Sequence, residues 1–509
     1  MAPGAGRGAL VFIGFMGAGK TSAARTIAAE FGARPVDSDA LLEERMGMSI
    51  EDCFARHGER GFRDQEEAAV LELLGRAGGE DLPVVSLGGG AVLSPAVRDA
   101  LARHTVVLLD VDADTAWQRA GGRRPLARDR RRFGELHAER SPIYEQLADV
   151  ILPTGRRESV RHALPAVQAL AGAPTGTKVV WAEAASGAYP VFVGPGLLGS
   201  GFWPLDSSAR RFTVSDEHVA ARYGPADLAI APGEQHKTLA TVEQVLRAMA
   251  AAGLDHDSHV AALGGGVVGD VAGFCAAVYQ RGIPVVQVPT TIVSQVDSAY
   301  GGKTGVDLPE GKNYAGAYHQ PAAVVADPSA LDTLPAEEAA AGWAEVVKTA
   351  LIAGGALWRR VRDDAPVDRD LVLACARTKL AVVAADERDG GRRQVLNLGH
   401  TVGHAIETVT GYARYRHGEA VGLGLLAALT LSDRVALRAE VAGLLSARGL
   451  PTRLDPDVDL DAVAAATQRD KKRRGGVVGF VLVDAPGHVR TGSAVPADDV
   501  RAALEELRA

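Results

Sequence analysis

The chain has 509 residues, a formal net charge of −8 and a hydrophobic content of 47%. That is the composition of a globular protein with ample core and about three domains of ordinary size. Its mild acidity, without a long basic run, argues against a nucleic-acid partner. Cys53, Cys275 and Cys375 are odd in number and scattered, so they read as reduced thiols of a cytoplasmic protein and not as a disulfide framework.

In chain order, residues 9–13 are a short apolar run of strand formers. They lead into Gly14-Phe15-Met16-Gly17-Ala18-Gly19-Lys20-Thr21 and then a helical pattern over 22–31. This is G-x-x-x-x-G-K-[ST] in its required strand–loop–helix setting. Gly17, Ala18 and Gly19 let backbone N–H groups curl around a polyphosphate at a helix N-terminus, where the dipole favours anions. Lys20 is placed to reach the β/γ-phosphates, and the Thr21 hydroxyl to ligate Mg²⁺. The same glycines exclude a signal-peptide reading of the apolar stretch 9–18. Asp37 and Asp39 end a second strand-like run and suit Mg²⁺ and the orientation of a hydroxyl. Arg63 and Glu66 follow at i and i+3. A strand over 84–87 ends in Gly88-Gly89-Gly90, bare backbone that a small ligand can approach. The arginine-dense segment 119–132 has the make-up of a lid over phosphates.

Through GFMGAGKT, DSD, FRDQE, SLGGGAV, RPL and ERSPIYE, residues 8–168 resemble shikimate kinase. The resemblance implies transfer of the ATP γ-phosphate to the 3-hydroxyl of shikimate, with ATP-Mg bound by Lys20, Thr21 and Asp37. It implies that Asp39, Arg63, Gly89 and Arg140 hold shikimate, the arginines gripping its carboxylate. Arg124 corresponds to the lid arginine that reaches the phosphates, and Arg119 and Arg157 to residues near the adenine.

Residues 171–177 are small and uncharged and read as a linker. From 178 to about 330, short strands alternate with helices, the pattern of a parallel α/β layer. Asp216 ends one strand and could meet a ribose hydroxyl. Glu234 and Lys237 lie in a polar turn before a helix predicted over 239–252. Residues 259–263 form a strand that runs into Gly264-Gly265-Gly266-Val267-Val268-Gly269-Asp270, again a phosphate cradle at a helix start. Thr290 and Thr291 close another strand. Asp297, Lys303, Lys312 and Asn313 then place a carboxylate and two lysines among glycines, a setting that binds phosphate or carboxylate.

After 330 the pattern turns helical. Glu345 and Lys348 share one helix face. His400 and His404, four apart, also share a face and offer two imidazoles to one ion, with His417 near enough to join them. Thr401 stands where a metalloprotease would need Glu, which argues against metal-assisted peptide hydrolysis. A further apolar stretch, 420–431, is too short to span a bilayer.

PGEQHK, GGGVVGD, QRG, VPTT, DSAYGGKTGV, GKN, AEVVK, LNLGHTVGHAIE, HGE and RDKK give residues 178–505 a resemblance to 3-dehydroquinate synthase. That resemblance implies NAD- and metal-dependent conversion of 3-deoxy-arabino-heptulosonate 7-phosphate to 3-dehydroquinate and phosphate, with NAD regenerated each turnover. It makes Glu345, His400 and His417 the ligands of Zn or Co, leaving His404 to face the substrate. Asp216, Glu234, Lys237, Gly266, Val267, Val268, Gly269, Asp270, Thr290, Thr291, Lys303 and Lys312 fall on the NAD side. Lys303, Asn313, Lys348, Arg393, Asn397, His404 and Lys471 or Lys472 would hold the substrate. Asp297 and Lys379 join that set, and Arg281 would enter a phosphate site, in keeping with a homodimer through the synthase part.

The expected fold is α/β throughout. A P-loop kinase domain with a three-layer parallel sheet (1–170) is joined by 171–177 to an α/β NAD-binding domain (178–330) and an α-helical metal-binding domain (331–509). The expected function is a bifunctional, cytoplasmic enzyme of the shikimate pathway with small-molecule substrates, a phosphotransferase joined to a cyclising phosphate lyase. Another sugar-phosphate cyclase, or a metal-dependent alcohol dehydrogenase, stays open for the C-terminal part.

Overall fold

The computed structural model describes residues 8–77, 84–120, 129–156, 158–468 and 479–508. Arg124, Arg157, Lys471 and Lys472 lie outside the described residues. The chain divides into two compact units, Met1–Ala182 with Pro190–Phe192, and Glu183–Tyr189 with Val193–Ala509.

In the first unit β1 (Leu10–Ile13), β2 (Val36–Asp37), β3 (Val84–Ser86), β4 (Thr105–Asp110), β5 (Val150–Pro153) and β6 (Lys178–Glu183) lie in the order β2-β3-β1-β4-β5-β6. Every pairing is parallel, with Leu10 opposite Val84 on one side and Thr105 on the other. All four residues of β1 are buried, as are the first five of β4. Uninterrupted apolar strands of this kind need helices on both faces, and the intervening helices supply them. The helical stretch that follows β5 is broken into Ser159–His162, Leu164–Ala169 and a 3₁₀ turn, Leu170–Gly172. Pro165, at the start of the second piece, cannot donate an N–H to the turn before it. The stretch read as a linker is a hydrogen-bonded turn in which Thr177 N–H and hydroxyl both donate to Pro174 O, at 3.1 and 2.8 Å.

β7 (Ala188–Val193) contributes residues to both units. The second unit continues with β8 (Arg211–Asp216), β9 (Leu228–Ile230), β10 (His259–Gly264), β11 (Val285–Pro289), the antiparallel hairpin of β12 (Lys303–Leu308) and β13 (Gly311–Tyr318), and β14 (Ala323–Ala326). Its sheet runs β14-β11-β10-β8-β9, with parallel pairing. Val214, Val260 and Val285 from adjacent strands pack under helices Leu239–Ala251 and Gly266–Val278 through Val242, Val245, Met249, Val271 and Cys275.

From Ala336 onward the unit is mainly helical, as expected, but it closes with an antiparallel hairpin of β15 (Gly479–Ala485) and β16 (His488–Ala494) before a last helix, Ala497–Arg508. Phe480, Val481, Leu482 and Val483 are buried there, and Gly487, at φ 88°, turns the chain. Among the described residues no helix is long and apolar enough to cross a membrane.

Two glycines bring three segments of this half together. A Cβ on Gly418 would fall 1.8 Å from Ala341 O, and one on Gly424 would fall 1.9 Å from Gly399 O. Helix His417–Leu431 therefore lies backbone against backbone on helix Ala336–Ala353 and on the start of helix His400–Val409. Overpacking such a contact costs about 1–3 kcal/mol. Gly424→Ala should lower unfolding stability by that amount, read as a lower denaturant midpoint at unchanged slope; an unaltered midpoint would show that the contact relaxes freely.

Candidate active sites

In the first unit the loop between β1 and helix Lys20–Glu30 carries Gly14, Gly17 and Gly19 at φ 140°, 79° and 90°. A Cβ on Gly17 would sit 2.6 Å from Ala116 O, so the loop is closed around bare backbone. The buried Lys20 ammonium donates to Gly14 O (2.9 Å) and Phe15 O (3.2 Å) across the loop. Thr21 Oγ1 donates to Asp37 Oδ2 at 2.6 Å, and Ser86 donates to the same oxygen. The other Asp37 oxygen accepts from the amides of Asp39 and Ala40 and caps helix Ser38–Met46.

Gly88-Gly89-Gly90 gathers a corner of polar side chains. A Cβ on Gly88 would collide with Asp39 Oδ1 at 2.2 Å, and one on Gly90 with Arg63 Nη1 at 1.9 Å. Arg63 pairs with Glu66, and the Tyr144 hydroxyl donates to Gly89 O at 2.5 Å. Burial raises the Glu66 carboxyl, Arg63 offsets this only in part, and Asp39 adds to the rise. Burial likewise pushes the Tyr144 phenol up to about 12, beside the buried Arg140. Arg119, on helix Ala113–Ala120, donates to Thr154 O at 3.0 Å, just past β5.

The second unit holds a cleft of about 1200 Å³. Its walls include Asp216, Glu234, Lys237, Gly266, Val267, Val268, Asp270, Thr290, Thr291, Lys312, Asn313, His404 and His417. Lys237 pairs with Asp270 at 2.5 Å, and Lys312 reaches Glu234 at 3.6 Å and Glu407 at 2.9 Å. Thr290 Oγ1 is buried without a hydrogen-bond partner among the described residues. Asp216 caps helix Glu217–Tyr223 through one oxygen, which accepts from the amides of His218 and Val219.

Deeper in, Glu345 Oε1 lies 3.4 Å from His400 Nε2 and 3.4 Å from His417 Nε2. Glu345, His400 and His417 each offer a ligand atom within 4.8 Å of the others, and Glu345 Oε1 is buried and accepts no hydrogen bond among the described residues. Lys348 forms ion pairs with Glu345 at 2.5 Å and with Asp297 at 2.7 Å, and Asp297 also takes Lys379. Burial alone would raise the Glu345 carboxyl, but Lys348 and the two imidazoles outweigh it and hold it well below the usual carboxylate range. For Lys379 the balance is reversed, with burial, Lys348 and Arg393 lowering it against the pull of Asp297. His404, Glu407 and His417 form a second converging group.

Known proteins place these arrangements. A shikimate kinase family model matches residues 16–171. A 3-dehydroquinate synthase N-terminal model matches 227–341, and a C-terminal one matches 342–473. The 3-dehydroquinate synthase of Halorhodospira halophila is 46% identical over 341 residues, covering 62% of this chain and 96% of that protein. The chain belongs to the 3-dehydroquinate synthase family. Its first unit adds a shikimate kinase domain, so one polypeptide carries two enzymes of the shikimate pathway. The Gloeobacter violaceus synthase is 45% identical over 302 residues, 57% of this chain and 83% of that one. Among solved structures, a 2-epi-5-epi-valiolone synthase from Streptomyces hygroscopicus with NAD⁺ and Zn²⁺ bound is 28% identical with a TM-score of 0.58, over 63% of this chain and 96% of that one. A 2-deoxy-scyllo-inosose synthase complexed with carbaglucose-6-phosphate, NAD⁺ and Co²⁺ is 26% identical with a TM-score of 0.57, over 65% and 99%.

Several synthase residues lie apart from the cleft walls. Gly269 faces Gln287, whose Nε2 donates to its carbonyl, so it serves helix-on-strand packing and not the cradle expected of it. Arg393 is buried and spends its guanidinium on the backbone carbonyls of Glu387 and Gly301. Lys303 pairs with Asp389 at 2.7 Å, Asn397 ends the 3₁₀ turn Arg392–Asn397, and Arg281 is exposed at φ 75°. Sequence reading gave no role to Tyr144 or Glu407, although both lie inside quoted motifs. Only their proximity in space marks them.

Asp386 holds the loop before Arg393. Its carboxylate accepts from the amides of Arg393, Gly391 and Gly390, which lower it to about 2. A depressed carboxyl stabilises above its ordinary range near about pH 4 and loses that contribution as pH falls through its folded value. Pepsin cleavage within 386–393 should therefore rise between about pH 4 and 2. Asp386→Asn should already show the acid-state rate at the upper end. A flat profile in the parent chain would exclude this role.

Proposed function

We propose that the first unit binds ATP-Mg and shikimate, and that the second binds NAD, a divalent Zn or Co ion and 3-deoxy-arabino-heptulosonate 7-phosphate. The observation that carries the synthase half is the buried Glu345 oxygen lying equally near two imidazole nitrogens and accepting no hydrogen bond. One carboxylate and two imidazoles with room for substrate suit a catalytic Zn or Co centre. The orphan Thr290 hydroxyl, the glycine-rich start of helix Gly266–Val278 and the paired Lys237 and Asp270 suit a dinucleotide along the cleft.

In the kinase half, Lys20 and the loop amides hold the ATP phosphates, while Thr21 and Asp37 supply oxygens for Mg²⁺. Arg63 and Arg140 grip the shikimate carboxylate in charge-assisted hydrogen bonds. Asp39 accepts the proton of the 3-hydroxyl as its oxygen attacks the γ-phosphorus and ADP leaves. Glu66 keeps Arg63 aimed at that corner.

In the synthase half, NAD⁺ would supply a reversible hydride acceptor, and a divalent ion held by Glu345, His400 and His417 would lower the pKa of a substrate hydroxyl. The chain's own residues do the rest. Lys348, locked between Glu345 and Asp297, presents a fixed positive charge to the substrate oxygens. His404, one turn beyond His400, exchanges protons with the substrate as phosphate departs. Lys303, Lys312, Asn313, Lys379 and Asn397 hold its phosphate, carboxylate and hydroxyls. Arg393 supports the 301 and 387 backbones that frame the site. A cytoplasmic homodimer through the synthase part, with Arg281 entering a phosphate site, completes the proposal.

Lys20→Ala should reduce shikimate-dependent ADP release about 10²–10³-fold, and phosphate release should persist; persistence of kinase activity would overturn the kinase assignment. Phosphate release from the keto-sugar acid should vanish with a chelator and in His417→Ala. His404→Ala should retain the ion while losing activity, and His400→Ala should lose both. Loss of the ion from His404→Ala would restore the helix-spaced pair, His400 with His404, as the ligands.

A further inference from the structure

One buried acid in the cleft has no part in the chemistry above. Glu407 is 1% exposed, three residues after His404 on helix His400–Val409. Its Oε1 accepts from Lys312 Nζ at 2.9 Å, and its Oε2 lies 3.4 Å from His417 Nδ1. The other nitrogen of the same imidazole, Nε2, is the one beside Glu345. His400 is held in the same way, with Nδ1 at 3.1 Å from Leu398 O and Nε2 beside Glu345. Each imidazole thus has one nitrogen tied and one free for the ion.

We infer that Glu407 is a positioning residue for the metal centre. It accepts the Nδ1–H of His417, which fixes the tautomer and turns Nε2 toward Glu345. Lys312, from β13, anchors Glu407 in turn and is itself covered by the Tyr412 ring, 4.9 Å from its ammonium. The carboxylate is therefore saturated from both sides, which counts against Glu407 as a ligand of its own with His404. A second consequence follows from geometry. Lys312 belongs to the hairpin that also offers Asn313 to the cleft, so the cofactor wall and a metal ligand share one buried carboxylate. Whatever moves Lys312 alters how firmly His417 is held, and linkage makes the effect reciprocal. Carboxylates that orient a ligating histidine commonly change metal affinity about 10–100-fold when removed.

This inference rests on the Glu345, His400 and His417 centre proposed above, and the test separates the two. The full chain, stripped of metal, is titrated with Co²⁺ against a competing chelator, and the visible absorption of the loaded protein is recorded. Glu407→Ala should bind Co²⁺ about 10–100-fold more weakly with a shifted spectrum. Glu407→Gln keeps an acceptor for His417 without the charge and should fall between. Lys312→Met should weaken Co²⁺ several-fold by releasing Glu407. Thermal unfolding of each metal-free variant checks that it folds; should Glu407→Ala fail, Glu407→Gln and Lys312→Met carry the test. Parental affinity and spectrum in the folded Glu407 variants overturn the inference. His400→Ala, run alongside, reports on the centre itself, since parental Co²⁺ binding there would overturn both.

Discussion

The synthase half depends on a carboxylate taken out of water. Glu345 is 1% exposed, and an unpaired charge at that depth costs several kcal/mol even after relaxation. Lys348 offsets it from one turn away on the same helix but is as deeply buried, so it needs an anion of its own. Asp297 answers from a short π-helical turn, Ser294–Ser298, and takes Lys379 from helix Arg369–Ala385. The result is an alternating run of Glu345, Lys348, Asp297 and Lys379 that stitches three segments together. Such a run tolerates little displacement, because moving any member leaves its neighbour charged and unpaired. A rigid frame of this kind is what a metal centre and a phosphate-bearing substrate need to be held in register.

Much of that frame was legible in the sequence because it obeys local spacing. Glu345 and Lys348 stand at i and i+3, and Arg63 and Glu66 repeat the device in the kinase unit; both pairs meet in space. The phosphate loop was readable for a similar reason, since strand, glycines and helix are consecutive. The convergence of Glu345, His400 and His417 was not local. Helical spacing favours His400 with His404, and nothing in the intervals among 345, 400 and 417 predicts convergence. It arises because Gly418 and Gly424 let helix His417–Leu431 lie directly on the backbones beside Glu345 and His400. Glycines inside a helix usually read as weak points, and here they set an interhelical distance.

The residues that sequence reading missed share a physical character. Tyr144 and Glu407 make their decisive contacts across the fold, and each is an ordinary residue type in an ordinary helix. Only burial distinguishes them: a carboxylate or phenol removed from solvent must be matched by partners, and those partners name its role. Glu407 is found from Lys312 and His417, and Tyr144 from Gly89 and Arg140. The β15–β16 hairpin escaped for a different reason. Its buried residues form one continuous apolar run, which cannot be told from a helix segment by periodicity alone, and it follows a long helical stretch.

Both units place a glycine triplet at the end of a parallel strand, Gly88 to Gly90 just past β3 and Gly264 to Gly266 starting on the last residue of β10. Taken as sequence, each is bare backbone awaiting a ligand. In the fold, most of the missing Cβ positions are occupied by the protein itself. Asp39 and Arg63 fill the space beside the first triplet, and Val268 and Thr291 fill the space beside the second. The triplets therefore act one step earlier than ligand contact, by letting side chains crowd the strand ends. A substitution to Ala at Gly88 would displace the Asp39 carboxylate before it met any ligand. That ordering explains why two unrelated chemistries, phosphoryl transfer and redox-assisted elimination, use the same local device. What they share is the need to pack side chains closely at the end of a strand, and glycine is the residue that leaves room for them.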